Sequence, residues 1–153
     1  MRKIVIAAAA CLAATPALAH VVIAPGKAEA GGYFVGAFRV GHGCQGQATT
    51  KVRIEIDPYV GSVRPRPVPG WRHRVEMKDG RVSAITWTGR LPDEEFQAFE
   101  VLMKLPNEDM TLLFPTVQTC GRTEARWTDT EPTSATPAPR LVITPAGGAE
   151  HAH

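Results

Sequence analysis

The sequence of 153 residues has few aromatic side chains, few cysteines and little net charge, and what it lacks excludes several classes of protein. Only 7% of the residues are aromatic, and the formal net charge is +2. Fourteen glycines and thirteen prolines would repeatedly interrupt long helices. Neither a Gly-x-Ser-x-Gly elbow nor a phosphate-binding loop occurs. A helical bundle and an α/β nucleotide enzyme are therefore disfavoured, and the length fits a single domain.

The first nineteen residues have the form of a Sec signal peptide. Arg2-Lys3 precede an apolar run over residues 4–14, and Ala17-Leu18-Ala19 follows it. The run is too short to span a bilayer, and Ala-x-Ala is the pattern that signal peptidase cleaves. We therefore expect cleavage after residue 19, a mature chain that begins at His20, and a periplasmic location.

A lipid anchor on Cys11 is the alternative reading of this leader. It is disfavoured because Ala8, rather than a large aliphatic residue, stands three positions earlier. Cleavage after residue 19 would remove two of the 17 basic residues and none of the 15 acidic ones, which leaves 15 of each sign. A formally neutral mature chain gives no support for binding to nucleic acid or to an anionic membrane.

Cleavage would also leave only two cysteines, Cys44 and Cys120. In an oxidising compartment we expect them to form a disulfide, which would close a loop of about 77 residues and stabilise the fold by about 4 kcal/mol. A thiolate metal site is the alternative, but the sequence has no Cys-x-x-Cys spacing.

Short alternating segments dominate the remaining chain and predict β-strands. Residues 51–57 alternate charged and β-branched side chains, as in a strand with one buried face. Asp79-Gly80 joins two such runs and is a hairpin signal. Further strands are predicted at residues 21–23, 33–40, 81–89, 96–105, 111–119, 124–128 and 141–144.

This spacing of strands and turns predicts an all-β protein, a single antiparallel β-sandwich of immunoglobulin-like type and cupredoxin-like size, over residues 20–144. The proline-rich segments 58–70 and 131–139 are predicted to be irregular connections. Residues 145–153 are predicted to be a flexible tail, in which His151 and His153 form a possible auxiliary metal site.

His20 is the first candidate for a metal ligand. At a new N-terminus its amine and its own imidazole can chelate one metal ion, with little competition from protons near neutral pH. Cu(II) is the divalent ion that such nitrogen donors prefer. The alternative is that histidine merely follows the cleavage site.

Several short motifs occur in an order that resembles one family, the YcnI-like copper-binding proteins. They include Thr49-Thr50-Lys51-Val52, Pro69-Gly70-Trp71 and Phe114-Pro115-Thr116-Val117-Gln118, in addition to His20 after the leader. The resemblance implies an exported β-sandwich that holds one Cu(II) in a histidine brace, formed by the N-terminal amine and imidazole with a strand glutamate and a nearby tryptophan. By position the tryptophan is Trp127.

The glutamate of the family pattern is not conserved in place, because Arg53 stands directly after Val52 and Glu55 comes two residues later. Glu55 is one candidate for the remaining copper ligand, and the other is His42, within Gly41-His42-Gly43. Each has an ordinary alternative, as an exposed strand carboxylate or an exposed loop histidine.

The resemblance favours a copper-binding protein that stores Cu(II) or delivers it, with a periplasmic copper chaperone or a copper membrane protein as its partner. An oxygen-activating copper enzyme is disfavoured because the chain is short and shows no aromatic strip for a carbohydrate surface. A metal-free exported interaction domain is the remaining alternative.

Overall fold

The computed structural model describes residues 20–147, which form β-strands and loops without a helix. The predicted signal peptide, His151 and His153 lie outside the described residues. The strands of the described part are β1 (Val22–Ala24), β2 (Lys27–Glu29), β3 (Tyr33–Val40), β4 (Thr49–Glu55), β5 (Gly61–Pro65), β6 (Arg72–Lys78), β7 (Arg81–Leu91), β8 (Gln97–Lys104), β9 (Met110–Leu113), β10 (Thr116–Cys120), β11 (Thr123–Trp127) and β12 (Arg140–Thr144).

The strands form three sheets. One has the order β1-β3-β8-β5, the second β11-β10-β4-β7-β6, and the third β2-β12-β9. Neighbouring strands are antiparallel except β2 and β12, which run parallel. The prediction of an all-β, immunoglobulin-like sandwich is confirmed.

Strand alternation puts one side of each large sheet into a common core. Val52 and Ile54 of β4 are completely buried, whereas Lys51 and Glu55 on the same strand are exposed. Phe38 from the first sheet and Trp87 from the second are also completely buried. Each large apolar side chain that is buried in this way contributes about 1.5–3 kcal/mol, so the core is the main source of stability.

Two local predictions are confirmed. Asp79 and Gly80 join β6 to β7, and both have positive φ, 51° and 73°, as a two-residue hairpin turn requires. Cys44 and Cys120 form a disulfide, with their Cα atoms 5.7 Å apart.

Two segments that contain proline differ from the prediction. Segment 111–119 is two strands, because the chain leaves the third sheet after β9 and enters the second at β10, on either side of Phe114-Pro115. Segment 58–70, predicted to be irregular, contains β5. This strand lies at the edge of its sheet, where a proline such as Pro65 is tolerated.

Across residues 20–147 nothing helical has the length and apolar character needed to cross a lipid bilayer.

Candidate metal centre

His20 and Trp127 lie against each other at one end of the sandwich. Their ring centroids are 5.4 Å apart and their planes are nearly perpendicular, at 85°. Trp127 ends β11 and is only 2% exposed, whereas His20 is exposed and is followed by the buried Val21. The buried valine and the indole together fix the start of the described chain, while the imidazole stays accessible to solvent.

The hydrogen bond of His20 determines which ring nitrogen carries the proton. Nε2 lies 3.2 Å from the carbonyl oxygen of Ala135, in the irregular segment before β12. A carbonyl oxygen can only accept, so Nε2 donates and a neutral imidazole has its lone pair on Nδ1. Histidine ligands in metalloproteins commonly donate their second ring N–H to a carbonyl in this way.

His42 lies on the loop that follows β3, the strand paired with β1. β1 pairs with β3 so that Val22 is level with Arg39 and Ala24 with Ala37. Continuing this register past its last pair places His20 level with Gly41, one residue before His42. The half-buried His42 ring directs Nδ1 to the carbonyl oxygen of Gly43.

The loop that carries His42 is tightly packed. A Cβ atom on Gly43 would lie 1.9 Å from the carbonyl oxygen of Gln47, so only glycine fits here. Cys44, the next residue, is tied to β10 by the disulfide, and its backbone exchanges hydrogen bonds of 3.1 and 3.0 Å with Gln47. The position of His42 is therefore set by a covalent bond to the sheet as well as by the loop.

Gln118 connects this loop to Trp127. Its Nε2 donates to the carbonyl oxygen of His42 at 2.7 Å and to Oγ1 of Thr49 at 2.8 Å, while its Oε1 accepts a longer bond of 3.5 Å from the indole Nε1 of Trp127. Gln118 is only 2% exposed. Sequence reasoning missed this residue. The signal was available, because Gln118 alternates with Thr116 and Cys120 on the buried side of the strand, and a buried amide needs hydrogen-bond partners.

Glu55, the other candidate for the remaining ligand, forms an ion pair on the outer face of β4, and its role as a ligand stays a prediction. Ile54 and Trp127 lie in the same cross-strand row through Thr116, on the inner face of the sheet. Glu55 follows Ile54, so its side chain projects from the outer face, where it is 53% exposed and forms a 2.8 Å ion pair with Arg53.

Within residues 20–147 no three His, Cys, Asp or Glu side chains gather as a ready metal site. An N-terminal chelate differs from such a cluster, because its first two donors are the amine and imidazole of one residue.

Comparisons with known proteins agree with this architecture. Residues 20–143 match a family described as a domain of unknown function, DUF1775. Copper-binding protein CutI of Bacillus subtilis (strain 168) is 28% identical over 96 residues, which is 61% of this chain. The matched region spans about half, 47%, of the length of that curated relative. The resemblance to the YcnI-like family is thereby confirmed.

A solved structure gives the same fold. It is titled as an uncharacterized protein from Nocardia farcinica with an immunoglobulin-like fold, and it superposes with a TM-score of 0.67 at 33% sequence identity. The match covers 81% of this chain and 97% of that one.

Proposed function

This chain belongs to the DUF1775 family, and we propose that it is an exported copper-binding protein whose single Cu(II) is held at the N-terminal His20. In this proposal signal peptidase exposes the amine of His20, and that amine and Nδ1 of the same residue chelate the metal. Similarity to a protein named for copper binding supports the choice of metal. Two nitrogen donors in one chelate also suit Cu(II) best among the divalent ions.

The observation that carries the proposal is the contact between Nε2 of His20 and the carbonyl oxygen of Ala135. It favours the tautomer with its lone pair on Nδ1, which is the ring nitrogen within reach of the amine of the same residue. Trp127 packs against the ring and limits its rotation. The imidazole is thus oriented for chelation before copper arrives, which reduces the entropy lost on binding.

We assign the third donor to His42 rather than to Glu55. Gln118 links the carbonyl of His42 to Trp127, against which His20 packs, whereas the Glu55 side chain projects from the other face of its sheet. Three nitrogen donors would then surround one side of the copper, and the indole of Trp127 would shield it.

We assign the protein a role in copper storage or delivery rather than catalysis, in the periplasm. A centre lined by a buried tryptophan and a constrained loop suits retention of the ion. The partner would be a periplasmic copper chaperone or a copper membrane protein, which takes copper from the exposed imidazole side.

Electron paramagnetic resonance of Cu(II) tests the chelate. Protein that begins at His20 is compared with the same protein extended by one N-terminal glycine, and both carry His151→Ala and His153→Ala to remove the tail imidazoles. We expect a one-to-one spectrum with nitrogen coupling in the first sample and its loss or alteration in the second. The same weak spectrum in both samples would refute the N-terminal site and favour a metal-free interaction domain.

The third donor is tested in the protein that begins at His20. We expect His42→Gln to change the nitrogen coupling and to weaken copper binding, and Glu55→Gln, the matched control on β4, to change neither. The reverse pattern would restore Glu55 as the ligand without affecting the N-terminal chelate.

A further inference from the structure

Two strands of the second sheet carry the same charge pattern in the same register. Lys51, Arg53 and Glu55 project from the outer face of β4, and Arg72, Arg74 and Glu76 project from the outer face of β6. Between them lies β7, which contributes three small side chains opposite these residues and carries the exposed Arg90 two residues beyond Thr88. Its residues Thr88, Thr86 and Ala84 pair with both neighbours, which gives the rows Lys51-Thr88-Arg72, Arg53-Thr86-Arg74 and Glu55-Ala84-Glu76.

These rows form a groove along β7, with walls of long charged side chains and the hydroxyls of Thr86 and Thr88 on its floor, while Ala84 is completely buried. The walls are two strand spacings apart, about 10 Å, and successive rows are about 7 Å apart. We call this feature the β7 groove.

One end of the β7 groove is closed by ion pairs. The Arg53 guanidinium reaches Glu76 at 3.1 Å and Glu55 at 2.8 Å, and the hydrogen bond that it donates to Glu76 raises the pKa of Arg53. The same contact lowers the pKa of Glu76. One cation and two carboxylates leave this end with a net charge of −1, so it does not attract an anion.

The other end, around Thr88, is open and positively charged. Lys51, Arg72 and Arg74 are exposed, and no carboxylate within residues 20–147 forms an ion pair with any of them. Arg74 is near enough to Glu76 to contribute to the lowered pKa of that carboxyl, whereas Lys51 and Arg72 have no such partner among the described residues. The three cations around the Thr88 hydroxyl form an anion-binding surface, although the whole chain is nearly neutral.

We infer that the open end of the β7 groove binds an acidic segment of a partner protein in extended conformation. Alternate side chains of an extended chain are about 7 Å apart and point to the same side, which matches the spacing of the groove rows. One carboxylate fits between Lys51 and Arg72 above Thr88, and a second carboxylate two residues along meets Arg74. Arginine can hold each carboxylate through two parallel hydrogen bonds.

The shape of the charge pattern favours a narrow segment over a membrane. A broad anionic lipid surface would also meet Glu55, Glu76 and Glu124 on the same face, and these carboxylates would repel it. A single extended chain can contact the open end alone. The groove lies on the outer face of the sheet, so this inference does not depend on copper at His20.

The test uses nuclear magnetic resonance at low ionic strength with two capped peptides of identical composition. One has its two acidic residues at alternate positions, and the other has them at adjacent positions, which point to opposite sides of an extended chain. We expect the alternating peptide to shift the amide signals of Thr86 and Thr88 and to bind several-fold more tightly. Equal binding of both peptides would mean that net charge alone determines the affinity, and it would overturn the inference.

Variants locate the binding site. Arg72→Gln with Arg74→Gln is expected to weaken binding of the alternating peptide about tenfold. The matched control is Arg39→Gln with Arg64→Gln, which removes the same charge from the outer face of the first sheet and should leave binding unchanged. An equal loss in the control would overturn the assignment.

A membrane is tested with vesicles of phosphatidylglycerol and phosphatidylethanolamine. We expect the wild-type protein and the double variant at Arg72 and Arg74 to sediment with the vesicles to the same extent. Vesicle binding that the double variant abolishes would replace the peptide by a lipid surface and overturn the inference.

Discussion

The two faces of the five-stranded sheet are built from the same strands but carry different chemistry. The inner face holds Ile54, Gln118 and Trp127, all nearly or completely buried, and it leads to His20 at its end. The outer face carries the charged rows of the β7 groove. Because consecutive residues point to opposite faces, a displacement of one position decides which site a side chain can join.

Glu55 illustrates this rule. It is the sequence neighbour of Ile54, which lies in line with Trp127, yet its carboxylate belongs to the ion pairs of the outer face. Nearness in sequence to a candidate metal site is therefore a poor guide in a strand, and the face must be established first.

The largest expected effect is a loss of stability from a substitution on the inner face. Ile54→Ala should lower the free energy of unfolding by about 3 kcal/mol, because Ile54 is completely buried and truncation leaves a cavity. Glu55→Ala, one residue away, should change it by less than about 0.5 kcal/mol. Denaturant titration of both variants measures the difference, and equal losses would contradict the division into a packed face and a solvated one.

A smaller effect is expected from Gln118→Leu. Removing the amide leaves the carbonyl oxygen of His42 and the hydroxyl of Thr49 without this donor, which should cost about 1–3 kcal/mol. It should also broaden or shift the Cu(II) spectrum, because the His42 loop loses a contact with the sheet. Thr119→Val, on the outer face of the same strand, is the control and should leave the spectrum unaltered. An unchanged Cu(II) spectrum in Gln118→Leu would show that the His42 loop does not affect the metal site.

The smallest effect concerns the outer face and depends on pH. The hydrogen bond from Arg53 lowers the pKa of Glu76, so their contact stabilises the fold above the unfolded carboxyl pKa and is lost as the pH falls through the lower folded value. Since both side chains are about one-third exposed, the contribution is at most about 0.5 kcal/mol. Wild type should exceed Glu76→Gln in thermal midpoint at pH 7, and this difference should shrink as the pH falls below the unfolded carboxyl pKa. A difference independent of pH would contradict this.

The sequence alone predicts much of the fold because its signals are local. Alternation located β3, and the Asp79-Gly80 turn located the hairpin of β6 and β7. The Cys44–Cys120 pairing followed from counting the cysteines left after cleavage, and the structure confirms it.

The arrangement around His20 is less predictable because it depends on contacts between distant segments. Ala135 and His20 are separated by 115 residues, and no local sequence pattern predicts that the carbonyl of Ala135 contacts the imidazole of His20. Gln118 is similar, because its partners, the His42 carbonyl and Thr49, lie 76 and 69 residues away in the sequence. The repeated pattern on β4 and β6 was readable, but its alignment across β7 requires the sheet order.

The position of β6 has a consequence for solubility in a crowded compartment. β6 ends the order of its sheet, so within residues 20–147 it pairs only with β7 and leaves one side of its backbone open. An open strand edge can recruit the strands of other chains and start aggregation. Arg72, Arg74 and Lys78 line this edge and would repel a second copy aligned beside it. Arg72 and Arg74, which we propose bind an acidic segment, thus also disfavour self-association through the edge of the sheet.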